Sequence, residues 1–189
     1  MAKKEHIAAA LRIRTTNYKR YDDALYEFLK LFWPVVVTKP FDGNWHIKYL
    51  CQEIQDYLIT IIEDKPINEK ALIINMPPGQ TKSTVVSVMA PAWVWTINPK
   101  IRIISSSYNI ELATRDAVMS KDVLSSNQYK MLYGTKFNIR EDFDSKGHFK
   151  NDKGGERLVV STGSKVTGFH ADLKLMDDPN NAKNIRNPD

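Results

Sequence analysis

Apolar positions recur along this chain in two rhythms, and the change from one to the other divides it. From Tyr18 to Phe32 they fall at Tyr21, Leu25, Phe28, Leu29 and Phe32, the spacing that buries one stripe of a helix, and the run meets Trp33-Pro34. From Asn44 to Ile62 the same spacing returns at Ile47, Leu50, Cys51, Ile54, Tyr57, Leu58 and Ile61, with Asn44 placed as N-cap. Two helices are therefore predicted before any strand. Then "ALIIN" (71–75) is short, continuously apolar and closed by a turn, as in a parallel strand covered on both faces. A helix is predicted from Lys82 to Trp95, kinked or ended by Pro91. "IRIISSS" (101–107) repeats the strand pattern and 109–126 the helical one, with Leu112, Ala113, Ala117 and Val118 on its inner face.

The alternation reads βαβα, which favours a parallel sheet with right-handed crossovers. Residues 134–155 are polar and predict surface loop or hairpin, and "RLVVST" (157–162) and "DLKLMD" (172–177) predict two more strands before an Asn/Pro-rich tail.

Candidate chemistry sits in "INMPPGQTKSTVV", residues 74–86. A phosphate-binding loop needs a strand, a tight turn whose N–H groups face the phosphates, then a lysine and a hydroxyl at the helix start. That order is present, but Met76 and Thr81 stand where glycines are usual, leaving Gly79 as the permissive position. Alone, the segment is equally a turn followed by a surface lysine. "LKLMDDP" (173–179) adds an independent feature, an apolar strand with two acids at its carboxyl end, where ligands of parallel α/β sheets bind.

Together these stretches resemble the large subunit of phage and prophage terminases, the motor ATPase that drives DNA into capsids. "NMPPGQTKST" is similar to the family's Met-Pro-Pro loop. "APAWVWTINPKIRIISSSYNIELATRDAVMSKDVLSS" looks like its next helix, strand and helix, and "FKNDKGGERLVVSTGSKVTGFHADLKLMDDP" like its approach to the acidic strand, including Gly-Gly-x-Arg and Thr-Gly. The resemblance runs from residue 25 to the end.

It implies a P-loop NTPase-type parallel sheet with flanking helices over 67–189, after a helical leader at 1–66, and incomplete beyond the acidic strand. It implies ATP with Mg²⁺ at Pro78, Gly79, Gln80, Thr81, Lys82, Ser83 and Thr84, with Ser83 and Asp177 on the metal. Asp178 would orient the attacking water. Many members carry an arginine where this chain has Gly79, so Arg115 and Arg157 become the candidates for the cation on the developing charge, a neighbouring subunit being the alternative. Trp33, Phe41, Trp45 and His46 stand where the leader lies near the base, or simply pack between leader and sheet. The implied partners are double-stranded DNA without sequence preference, a terminase small subunit, a portal and further copies of the chain, in the cytoplasm of a bacterial host. A catalytically inactive fragment or assembly subunit needing a partner segment, and another P-loop DNA-dependent ATPase or helicase, are the alternatives.

Composition narrows the choice. The chain has 189 residues, 42% of them hydrophobic, enough for one core. A net charge of +5 permits a nucleic-acid partner, and Lys3, Lys4, Arg12, Arg14, Lys19 and Arg20 crowd the first twenty positions. The longest uncharged stretch, 83–99, is broken by Pro91, so no membrane partner is expected. The single cysteine, Cys51, falls on a helix's apolar stripe, which disfavours thiol chemistry. Scattered histidines give no metal-ligand spacing, and one adjacent acid pair does not make a two-metal nuclease site.

Overall fold

The computed structural model describes residues 2–66, 71–134, 136–164 and 168–178; Thr167, Pro179 and the Asn-rich tail lie outside them. The basic N-terminal stretch forms a helix, α1 (Ala2–Thr16). Thr15 near its end faces inward, where its hydroxyl meets the Tyr133 hydroxyl at 2.5 Å and its carbonyl accepts from Trp93 Nε1 at 2.7 Å. The following helix starts later than its periodicity predicts and runs past Pro34: α2 is Ala24–Val36. Its start is fixed from outside, because the Leu25 N–H donates to Gln55 Oε1 at 2.8 Å while Gln55 Nε2 donates to the Tyr21 carbonyl at 3.1 Å. Gln55 belongs to α3 (Trp45–Ile62), which follows Asn44 as expected. One buried amide thus locks the first turn of α2 to its neighbour.

After the phosphate-loop candidate the helix opens as a wide π turn, Thr84–Met89, and continues as α4 (Ala90–Ile97). Then come β1 (Arg102–Ser107), α5 (Ile110–Ser125), a helix not predicted, α6 (Asn127–Tyr133), and β2 (Ile139–Asp144), β3 (His148–Asn151), β4 (Glu156–Ser161) and β5 (Leu173–Met176). Asn109 caps α5, its side-chain oxygen accepting from the Glu111 and Leu112 N–H groups. Leu112 is 44% exposed, so the inner face of α5 runs through Ala113, Asp116, Ala117 and Ser120 rather than through Leu112.

The five strands form one mixed sheet in the order β2-β3-β4-β1-β5. β4, β1 and β5 are parallel; β2 and β3 add to β4 as antiparallel strands, so the polar 134–155 stretch holds a hairpin. The turn from β3 to β4 explains the glycine pair. Gly154 has φ +95°, and a Cβ on Gly155 would lie 2.1 Å from the Pro99 carbonyl oxygen. Phe28 and Phe32 of α2 meet Tyr129 and Tyr133 of α6, and Trp95 meets Phe137 and Phe149, filling the core between helices and sheet.

The predicted strand at 71–75 does not join this sheet. Residues 71–77 form no element, although they keep a strand's alternation: Leu72, Ile74 and Met76 are half-buried, and Ile73 is 89% exposed. β1 is already paired on both sides, and among the described residues β5, the edge strand, is paired with β1 alone. Among the described residues 71–77 pair with neither edge of the sheet, and their alternation half-buries one face alone.

Candidate active site

The C-terminal ends of the parallel strands carry the polar cluster. β5 delivers Asp177 and Asp178 directly after Met176, and the turn at 78–81 delivers Lys82 and Ser83 to the same place. Ser83 Oγ donates to Asp177 Oδ2 at 2.6 Å across 94 positions of sequence. Lys82 Nζ lies 2.8 Å from Asp177 Oδ1 and 3.4 Å from Asp178 Oδ1. The Lys82 ammonium is held above its usual range, chiefly by its bond to Asp177, with partial burial working against this. It is a firm cation at neutral pH.

The turn keeps a glycine-like geometry without the glycine. Gly79 has φ +79° and Thr81 φ +67°. A β-branched residue in that region is strained, and strain of this kind gathers at ligand sites. Asp178 also has positive φ, +43°, which an aspartate tolerates better, and its carbonyl accepts from the Tyr108 N–H at 3.2 Å. Its side chain is 82% exposed, the most open acid of the cluster.

Behind Ser83 and Asp177, between α5, the π turn and the sheet, lies a cavity of about 50 Å³ lined by Ser87, Ser105, Ser107, Asp116 and Arg157 among others. Arg115 is at its rim, bonded to Asp116 at 2.8 Å. Arg157 differs from the expectation of a free cation: it is 1% exposed, inside the core, and its Nη2 donates to the Ser87 carbonyl at 2.7 Å and meets Ser105 Oγ at 3.3 Å. Its guanidinium is held by these two contacts in the same cavity that Ser83 and Asp177 line. Burial lowers its pKa to about 10, against the pull of Asp116, so it still carries its charge at neutral pH.

Asp116 has no counterpart in the sequence-level candidates. Burial raises its carboxyl pKa, opposed by Arg115 and reinforced by Asp177. Its signal was an acid in step with Ala113, Ala117 and Ser120 on the buried stripe of a helix.

Of the leader aromatics, Trp33 and Phe41 pack edge to face at 5.1 Å, and Trp33 Nε1 donates to the Lys39 carbonyl, which is ordinary packing. Trp45 is 80% exposed. A larger open groove of about 500 Å³, lined by Lys65, Lys100, Arg102 and Asp172, lies at the amino ends of β1 and β5, opposite the Lys82 cluster. Among the described residues no group of three or more His, Cys, Asp or Glu side chains forms a metal cage, and no helix is long and apolar enough to cross a membrane. Comparison of the chain with protein-family models, with curated proteins and with solved structures finds no match.

Proposed function

We propose that this chain binds Mg·ATP at the Lys82–Ser83–Asp177 cluster and is the ATP-hydrolysing part of a DNA-packaging motor of the terminase type. The observation that carries the reading is the convergence of Lys82 and Ser83 with Asp177, a lysine, a hydroxyl and a carboxylate from distant segments meeting at the carboxyl ends of parallel strands.

These residues fit the group they would hold. A serine hydroxyl and a carboxylate 2.6 Å apart are hard oxygen donors, and magnesium sites of nucleotide enzymes use one or two such ligands, the substrate phosphates and water. Magnesium held there would supply neutralisation of the phosphate charge. Lys82 would leave Asp177 for the phosphate oxygens, and the N–H groups at 79–84 would face the same anion from the helix start. Asp178, exposed and beside Lys82, would orient the water for in-line attack. Arg115, 58% exposed at the rim, remains the arginine able to reach developing charge, once released from Asp116.

The basic positions on and after α1 support a DNA contact in part. Lys4 and Arg12 are exposed, whereas Arg14 is engaged by Asp23 at 2.5 Å and Lys19 by Glu63 at 3.4 Å. Such contacts would be to phosphates and would weaken steeply with salt.

A second reading, a nucleotide-binding but non-hydrolysing assembly component, is favoured by the 71–77 segment, which leaves the loop without a paired strand behind it. Titration with a fluorescent ATP analogue in magnesium, followed by a turnover assay, separates the two. Under the first reading Lys82→Ala abolishes binding and Asp178→Asn keeps binding but loses turnover. Lys82-dependent binding without wild-type turnover selects the second, and wild-type binding that ignores Lys82→Ala sinks both.

A further inference from the structure

Why the fold seals an arginine in its core follows from Pro91. The helix that begins at Lys82 runs through this proline, which has no N–H, so the Ser87 carbonyl four residues earlier is denied its α-helical donor and is crowded by the ring. The chain widens there: the Ala90 N–H donates to the Val85 carbonyl, five residues back, in the π turn Thr84–Met89. Arg157, reaching in from β4, then donates to the Ser87 carbonyl at 2.7 Å, supplying the bond the proline withholds. Its Nε and Nη1 have no hydrogen-bond partner among the described residues.

The wide turn starts one residue after Ser83. Converting it to α-helical register would rotate everything before it by about 100° relative to α4, the angle of one residue. Ser83 Oγ, now 2.6 Å from Asp177, would be turned away from it, and Lys82 with it. We propose that Arg157 is a positioning residue: by capping the Ser87 carbonyl opposite Pro91, it holds the π register that aims Lys82 and Ser83 at Asp177. Its ligand consequence rests on the phosphate role proposed above for those two residues, whereas the register itself does not.

The test is a cycle on the full chain of Arg157→Met, Arg157→Lys, Pro91→Ala and Pro91→Ala/Arg157→Met. Two readouts apply: hydrogen exchange of the amides at 84–92, and affinity for N-methylanthraniloyl-ATP in magnesium. Arg157→Met should speed exchange over 84–92 and weaken the nucleotide by about tenfold or more, the loss of a charge-assisted hydrogen bond, with Arg157→Lys recovering most of it. In the Pro91→Ala background residue 91 has its own N–H, so adding Arg157→Met should change either readout by less than about twofold. Unchanged exchange and affinity in Arg157→Met, or an equal loss with and without Pro91, would overturn the proposal. Should wild type and Lys82→Ala bind the nucleotide alike, the phosphate reading fails, and the exchange data alone still decide whether Arg157 holds the register. If Arg157→Met is too unstable to study, recovery of its melting temperature in the double variant supports the proposal, and the absence of any recovery overturns it.

Discussion

Phe28 and Ile73 are both large apolar residues in segments of clear periodicity, yet one is 0% exposed and the other 89%. Around Phe28, α2 meets α5, α6 and the π turn, Gln55 satisfies its first turn, and the rings of Phe32, Tyr129 and Tyr133 close the space. Around Ile73 the chain belongs to no ladder among the described residues, and there β5 is likewise paired on one side alone. The difference teaches that apolar content does not make a core by itself; a partner surface must exist on both sides of the segment. The Lys82 cluster lies at the seam between these regions, its loop arriving from the unpaired segment and its acids from the sheet edge.

Mutation should separate the two regions sharply. The largest effect is expected from Phe28→Ala, which empties a fully buried ring site and should cost about 4 kcal/mol in urea denaturation. A loss below about 1 kcal/mol would mean the helical side is not the stability core.

Cys51 allows the same region to be tested by pH. Burial pushes its thiol up to about 12, so the native state keeps a proton that the unfolded chain releases from about pH 9 upward. Stability contributed by the neutral thiol is complete below pH 9 and falls as pH rises, by about 1.4 kcal/mol per pH unit. Comparing denaturation at pH 8.5 and 10 for wild type and Cys51→Ala should show the steeper alkaline loss in wild type; parallel curves would place the thiol in contact with water.

At the seam, Thr81→Gly should stabilise the chain by about 1 kcal/mol by relieving its left-handed backbone, while leaving Lys82 in place. Destabilisation would indicate that the Thr81 side chain holds the turn more than its backbone strains it. Smallest of all, Ile73→Thr on the open side should change stability by less than about 0.5 kcal/mol. A cost comparable with that at Phe28 would mean the 71–77 segment is packed in solution.

Legibility from sequence follows the same division. Helix α3, helix α5 and strands β1, β4 and β5 were readable within a residue or two because each buries its own periodic stripe or apolar run, and the Lys82–Ser83 and Asp177–Asp178 pairs were readable because a strand end and a helix start position them locally. α6 was hidden because its seven residues give barely two helical turns, and the late start of α2 because Gln55 decides it from another helix.

By itself, then, the sequence determined the α/β class, the order of most elements and which four polar side chains lie at strand ends and helix starts, since these depend on neighbours a few residues away. Only the tertiary structure decided that residues 71–77 stay outside the sheet, that Asp116 lines the site, and that Arg157 is a buried cap for the Ser87 carbonyl and not a free cation. Those outcomes depend on which distant strands and helices occupy the space around each residue, and the pattern of apolar and polar positions carries no record of that.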